Sequence, residues 1–441
     1  MLDLLAGTGR APDKTAFVFR DSTMSFDRLR RRMLSVAAGL LERGVRPGDR
    51  IALRLPNGPD YVATWLAVQR LGAIVVQLPP IYRRREIERI IADSGASLLV
   101  SADAVRSFDV DPQRGTVDDA AVITYIATAE GPLTGVVSTH SDISAACDAY
   151  ARGVLNLRSD DVVIGALGLG WAYGLGALLT FPLQVGATAV VLDSQDSLLS
   201  SIADTAATVL FAVPTTYRML LRHPAFDAAS LGSLRCCVSA GEPLPADVIE
   251  EWRSRTGHDI VDGLGTTEMT HIFISARPGH VRPGLIGEAV GGYEARIVDD
   301  DGRGVPDGTA GLLAVRGPTR ARYWRDPEAE RRTTRDGWTL TGDVCARDAD
   351  GWFQHLRRAD SLIVSAGYKI SRREVEDALR AHAEVAAARV TSMPDAMRGA
   401  VAHAVVTAAR GADATTLAER LRTYLKTELA PFKCPRVICV E

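Results

Sequence analysis

Between Asp49 and Ser101 short apolar runs alternate with stretches of helical periodicity. Asp49–Leu55 reads as a strand, Tyr61–Leu71 as a helix and Ala73–Leu78 as a second strand, and the alternation continues to Ser101. Strands that read as unbroken apolar runs are buried on both faces and need helices to cover them. The rhythm therefore predicts a parallel sheet with helical layers. A strand hairpin is expected from residue 11, followed by a helix over residues 25–43. After about residue 285 the texture changes to short strands separated by turns such as Asp300-Asp301-Gly302 and Pro306-Asp307-Gly308, which suggests a β-rich subdomain. Past Arg358 come a hairpin, an amphipathic helix Arg372–His382, strands near Ala386–Ser392 and Val401–Ala408, and a helix Thr416–Leu429. The expected fold class is α/β. A large N-terminal domain over residues 1–358 carries the parallel sheets and the β-rich subdomain, and a small α+β lid follows over residues 359–441.

Composition narrows the function classes. A length of 441 residues suggests two to three domains and a large core. A formal charge of −3, with 24% charged and 46% hydrophobic residues, gives no electrostatic reason for nucleic acid or a membrane surface as partner. Only Lys14, Lys369, Lys426 and Lys433 represent lysine, an imbalance toward Arg that reads as base composition rather than recognition. Cysteines at 147, 236, 237, 345, 434 and 439 show no metal-ligand spacing, and Cys236-Cys237 reads as a buried strand. Reduced thiols and a cytoplasmic location are expected. Met1-Leu-Asp-Leu-Leu is not a signal peptide, and no apolar run reaches membrane-spanning length.

Four stretches carry chemistry. In Val261–Glu268, Asp262 can accept from an exocyclic amine, and Gly263 and Gly265 allow a tight turn and close approach to a flat ligand. Thr266 and Thr267 offer hydroxyls to a phosphate, and Glu268 offers a carboxylate to a hard cation such as Mg²⁺. The stretch reads as a loop holding a nucleotide by its edge, or equally as a glycine-bearing turn after a buried strand. Ala127–His140 has Gly131 and Gly135 but Glu130 and no lysine, so it is a poor polyphosphate loop and reads better as a turn between strand and helix. In Thr339-Leu-Thr-Gly-Asp343 the carboxylate can take two ribose hydroxyls, or the segment is a β-turn. Arg357-Arg358-Ala-Asp360 is followed by Ser365–Ile370 and Glu374-Val-Glu376. There Gly367 would let something narrow pass the backbone, or the segment is a charged linker with a hairpin turn.

In this order and spacing the stretches resemble the adenylate-forming superfamily of acyl- and aryl-CoA ligases, peptide-synthetase adenylation domains and luciferases. Gly263–Glu268, Ser239-Ala-Gly-Glu-Pro-Leu-Pro245, Thr341-Gly-Asp343 and Arg358-Ala-Asp360 carry the resemblance. Glu268-Met-Thr-His-Ile-Phe-Ile-Ser, Trp171-Ala-Tyr-Gly-Leu-Gly and Leu429–Arg436 look closest to the benzoate- and aminobenzoate-CoA ligase branch. The resemblance implies a small C-terminal domain that rotates between two half-reactions: ATP and acid give an acyl-adenylate, then the CoA thiol displaces AMP. It implies that Asp262 accepts from adenine N6, that Leu264 flanks the adenine, and that Thr267 contacts the α-phosphate and Glu268 the Mg²⁺. Gly241, Glu242, Gly263, Gly265 and Thr266 complete the nucleotide site. Asp343 would bind ribose beside Arg358, and Asp360 would be the hinge. Gly367 with Tyr368 would line the CoA passage. Trp171 would gate an acyl pocket formed with Tyr173, Gly174, Ala240, Gly263 and His271.

Two departures fall on adenylation. Leu133-Thr134-Gly135 stands where the family's phosphate loop has Pro-Lys-Gly, and its hydroxyl positions hold Ala127, Ala129 and Glu130. The family's C-terminal lysine, within a Lys-Thr-x-x-Gly-Lys pattern, is expected to be absent because the sequence stops at Glu441. Joining an anionic carboxylate to a triphosphate needs preorganised cations and donors, where one missing donor costs about 3–4 kcal/mol. Thioester formation from an activated anhydride depends mainly on placing the thiol. The expected function is therefore a non-adenylating ligase. It transfers a bulky apolar or aromatic acyl group from a preformed acyl-adenylate, supplied by a separate adenylating ligase, to CoA. The alternatives are a complete ATP-dependent synthetase cut short at its C-terminus and a non-catalytic acyl- or nucleotide-binding partner.

Overall fold

The structure is a computed structural model that describes residues 11–20, 22–102, 105–107, 119–129, 131 and 133–441. Two large sheets form the bulk of the N-terminal part. In the nine-stranded sheet, Ile260–Gly265, Cys236–Ser239, Val209–Ala212, Val162–Gly165, Thr188–Val191 and Thr15–Phe19 run parallel, with antiparallel strands only at its edges. The six-stranded sheet has four parallel strands, Leu98–Ser101, Arg50–Arg54, Ile74–Gln77 and Ala120–Ile126, in that order. The alternation predicted from Asp49 onward is the first half of this second sheet.

The helix Pro59–Arg70 explains how the sheets join. Every residue from Tyr61 to Gln69 is buried, and a helix buried on all faces belongs between layers. Proline at its first turn removes an N–H that would have no partner there. One continuous core links Ile51, Val75 and Val122 of one sheet with Val163, Phe211 and Val238 of the other around Trp65. By contrast, the helix Phe26–Glu42 buries only Phe26, Leu29, Met33, Ala37 and Leu40, a single stripe, and Ser25 caps its N-terminus.

The β-rich segment after residue 285 forms a separate five-stranded sheet containing Trp338–Arg347 and Phe353–Arg358. The C-terminal part has its own core. The helices Arg372–Arg380 and Ala414–Glu428 lay Val375, Leu379, Leu417, Leu421 and Leu425 onto strands Val385–Asp395, Gly399–Ala408 and Val437–Val440. The molecule is thus a large N-terminal domain with a small C-terminal one, as the sequence implied.

Three local readings are corrected. Val261–Glu268 is not a loop throughout: Ile260–Gly265 is a strand, and only Thr266 onward turns. Gly265 serves close strand approach rather than a turn, since a Cβ there would lie 2.6 Å from the His271 carbonyl oxygen. Thr339–Asp343 lies inside the ten-residue strand Trp338–Arg347, not in a β-turn. The Ala127–Gly135 segment joins two antiparallel strands, Ala120–Ile126 and Thr134–Thr139, rather than a strand and a helix. Glu130 and Pro132 lie outside the described residues.

Candidate active site

A cavity of about 470 Å³ opens where the large and small domains meet. Its walls bring together stretches far apart in sequence. Trp171, Tyr173 and Gly174 come from the start of a helical segment, Ala240 and Gly241 from the end of Cys236–Ser239, and Gly265, Thr266, Thr267 and His271 from the end of Ile260–Gly265 and the turn after it. All of these sit beyond the C-terminal ends of parallel strands or in the loops that follow, the usual place for ligands in open α/β sheets. The small domain supplies Ala366, Gly367, Tyr368 and Lys369, the tip and return strand of the hairpin Ile363–Ile370, together with Met397, Arg398, Phe432 and Lys433.

One end of the cavity is aromatic. The Trp171 ring meets Tyr82 and Tyr368 edge-on at 5.5 Å and Phe432 at 6.2 Å, and Tyr368 stacks on Phe432 at 4.3 Å. Half of this cluster comes from each domain. His271 is buried among Phe181, Tyr150 and Tyr173, and neither ring nitrogen makes a well-formed hydrogen bond. Burial pushes its pKa down to about 3, so the ring is neutral at physiological pH.

A second group lies beside the cavity. Asp343 Oδ1 accepts from Arg358 Nη1 at 3.0 Å and pairs with His355 Nε2 at 3.1 Å, while its buried Oδ2 has no partner. Burial alone would raise its pKa, but the His355 contact and the charges of Arg358 and Lys369 outweigh it and keep the carboxyl well below the usual range. Arg358 also holds Asp360 through Nε at 3.2 Å and through Nη2, and Asp360 accepts from Leu362 N at 3.2 Å. One guanidinium therefore ties the expected ribose carboxylate to the expected hinge. Glu268 Oε2 is likewise buried without a partner, and its Oε1 is 3.4 Å from the Tyr323 hydroxyl.

Not every expected residue lines the cavity. Trp171, Tyr173, Gly174, Ala240, Gly241, Gly265, Thr266, Thr267, His271, Gly367 and Tyr368 do. Glu242, Asp262, Gly263, Leu264, Glu268, Asp343, Arg358 and Asp360 stand behind or beside it. Asp262 is buried, its Oδ1 accepting from Gly263 N at 3.0 Å. Burial pushes its pKa up to about 8 against 3.8 for an ordinary Asp, and the Gly263 bond offsets only part of that. The folded protein then keeps a proton that the unfolded chain releases. Its stability contribution is full below about pH 4 and falls as pH rises toward 8, by at most about 1.4 kcal/mol per pH unit. Asp262→Asn is expected to flatten this slope in thermal melts from pH 4 to 9. A variant that keeps the wild-type slope would place the titration elsewhere.

Sequence reasoning passed over the residues that dock the small domain. Arg84 Nε and Nη2 donate to the two oxygens of Glu428 at 3.0 and 2.7 Å, and Arg85 Nε adds a third bond at 3.1 Å. Glu428 is buried, and a forked guanidinium–carboxylate pair fixes orientation as well as distance. Lys433, 1% exposed, lies 3.1 Å from Glu86 of the large domain and 2.6 Å from Glu374 of the small one. Arg373 packs over the turn after Ile126: a Cβ at Gly131 would sit 3.1 Å from its Cδ. The available signal was scarcity, because two of only four lysines, Lys369 and Lys433, line this cavity.

Comparison with known proteins agrees with this architecture. The AMP-binding enzyme family matches residues 6–117 and 101–324, and the AMP-binding enzyme C-terminal domain matches residues 374–441. Benzoate–CoA ligase of Thauera aromatica is 32% identical over 99% of this chain and 90% of its own length. A 4-hydroxybenzoate–CoA/benzoate–CoA ligase of Rhodopseudomonas palustris is 33% identical over 96% and 87%. Among solved structures, an amide bond synthetase from Marinactinospora thermotolerans superposes with a TM-score of 0.88 at 28% identity, covering 99% of this chain and 94% of that one. A double mutant of o-succinylbenzoate CoA synthetase from Bacillus subtilis, bound with its product analogue OSB-NCoA, gives 0.86 at 27% identity with the same coverage. ATP-bound MatB from Rhodopseudomonas palustris gives 0.74 at 27% identity, covering 100% and 94%. With its two-domain fold, its interdomain cavity and these matches, the chain belongs to the AMP-binding, adenylate-forming family of acyl- and aryl-CoA ligases.

Proposed function

We propose that this ligase carries out the thioester-forming half-reaction on a preformed acyl-adenylate of a bulky apolar or aromatic acid. The observation that carries this reading is the docked hairpin. Its tip, Ala366-Gly367, projects into the same cavity as Thr266, Thr267 and Trp171, where an acyl-adenylate and a thiol would meet. The loop that would cradle a triphosphate has Thr134 where a lysine is expected, and Ala127 and Ala129 in place of hydroxyls.

In the proposed step the CoA sulfur attacks the acyl carbonyl carbon. A C–S bond forms, the C–O bond of the mixed anhydride breaks, AMP leaves with the electron pair, and the thiol proton passes to water. Asp343, with its free Oδ2, would take the ribose hydroxyls, and Asp262 would accept from the adenine. Thr266 and Thr267 would hold the phosphate, and the Trp171–Tyr368–Phe432 cluster would exclude water from the acyl end. Among the described residues no three His, Cys, Asp or Glu side chains could hold a metal alone. The unpartnered, buried Glu268 Oε2 is a hard oxygen donor of the kind Mg²⁺ prefers, and Glu268 would be the residue to hold that ion. Bound there, the ion would neutralise phosphate charge. A separate adenylating enzyme would supply the substrate.

The benzoate–CoA ligase relatives favour benzoyl-adenylate as the probe. Calorimetry is expected to show benzoyl-adenylate, or AMP, binding at least about a hundredfold more tightly than ATP, since two or more phosphate donors are missing. ATP binding as tight as benzoyl-adenylate would overturn the reading in favour of a complete synthetase.

A further inference from the structure

Glu242 stands where three distant segments meet. Its Oε1 accepts from the Thr215 backbone N–H at 2.7 Å and from the Thr215 hydroxyl at 2.6 Å. Its Oε2 accepts from the Gly367 backbone N–H at 2.9 Å. Thr215 is the second residue of the helix Pro214–Arg222, which has no side-chain cap at its own N-cap residue. The first N–H groups of a helix lack partners within it and carry partial positive charge, so a carboxylate is favoured there. One oxygen of Glu242 is thus anchored to the large domain wherever the small domain stands. The other is engaged only when the hairpin is docked.

Neighbouring contacts cross the same junction. The Thr215 hydroxyl also lies 3.2 Å from the Met397 carbonyl, and Arg218 Nη1 lies 3.5 Å from the same oxygen. Ala366 N donates to the Arg398 carbonyl at 3.0 Å, which joins the hairpin to the tip of the strand pair Val385–Ala408. The Gly367 N–H is the only backbone donor at the hairpin tip that reaches across to a charged group of the large domain among the described residues.

We infer that Glu242 is a positioning residue for thioester formation: its carboxylate latches the Gly367 N–H and so holds the small domain with the hairpin in the cavity. This rests on the proposed thioester-forming role. Hydrogen bonds to an ionised acceptor are stronger than neutral ones, so the latch biases the orientation of a whole domain with one side chain. Glu242→Gln isolates the effect. The amide oxygen can replace Oε1 toward Thr215, but the amide NH₂ then faces the Gly367 N–H, donor against donor, with almost no change in size.

Two readouts test it. With benzoyl-adenylate and CoA supplied, E242Q is expected to lower kcat by about tenfold to a hundredfold while the KM for the adenylate stays within about twofold. Hydrogen–deuterium exchange in residues 363–370 is expected to speed up by about tenfold or more, with residues 214–222 unchanged. A loss expressed mainly in adenylate KM would overturn the latch and assign Glu242 to the nucleotide site, and unchanged exchange in the hairpin would overturn it outright. If E242Q fails to fold, the wild type still decides: a Gly367 amide exchanging at the rate of an unstructured peptide contradicts the latch. If the wild type does not use benzoyl-adenylate, the proposed function falls, and the exchange comparison alone judges Glu242.

Discussion

Gly367→Trp is expected to slow acyl-CoA formation from supplied acyl-adenylate by at least about a hundredfold, with AMP affinity within a few-fold of wild type. The hairpin turns on two residues with positive φ, Ala366 at 47° and Gly367 at 81°. Two-residue hairpin loops of this kind favour glycine because side chains resist that conformation. Space is a separate matter. A Cβ on Gly367 would meet Val213 Cγ1 at 3.4 Å and Val213 Cβ at 4.0 Å, both ordinary contacts. Alanine is therefore limited by backbone strain of about 1–2 kcal/mol, roughly tenfold in the docked population, and not by crowding. Asparagine tolerates positive φ better and should cost less than alanine despite its larger size. A simple volume rule, with alanine mild and asparagine worse, is thus not expected for small side chains. Tryptophan differs in kind, because an indole starting between Val213 and Gly241 fills the space through which a thiol chain would pass. Rates for all three variants at saturating CoA, with melting curves as a folding check, decide the matter. A Trp variant turning over at near the wild-type rate would remove Gly367 from the thiol path.

The parts of this site that could be read from sequence are those set by local chemistry. The hairpin around Gly367 was readable because a Gly between short apolar runs has few other uses, whereas Asp343 beside Arg358 came from the family resemblance and is met in the structure as a direct cross-strand pair. The alternation from Asp49 gave the parallel sheet because burial on both faces leaves an unbroken apolar record. What could not be read depends on contacts across the chain. Glu242 and Gly367 are 125 residues apart, and Arg84 and Glu428 are 344 apart. Nothing in either local sequence marks them as partners. Gly263 and Gly265 misled for a related reason: close packing of one strand on the next needs small residues just as a turn does, and only the pairing with Ile272–Ser275 tells them apart.

Thioester formation without adenylation sets this chain apart from relatives named for the whole ligation of acid to CoA, and so needs a direct test. On the proposed reading the difference would lie in the turn joining Ala120–Ile126 to Thr134–Thr139. Thr134 can donate one neutral hydrogen bond where a lysine would place a full charge, and the buried side chain of Ala127 offers no donor. Groups that stabilise one transition state act together, so loss of a cation and of hydroxyl donors should leave little adenylation. Thioester formation makes no such demand. The direct measurement is a pair of incubations with the same enzyme, one with synthetic benzoyl-adenylate and CoA, the other with benzoate, ATP, Mg²⁺ and CoA, following benzoyl-CoA in both and pyrophosphate in the second. Benzoyl-CoA is expected in the first, and in the second neither thioester nor pyrophosphate above the enzyme-free control. Pyrophosphate release and benzoyl-CoA formation in the second at a rate matching the first would contradict this expectation.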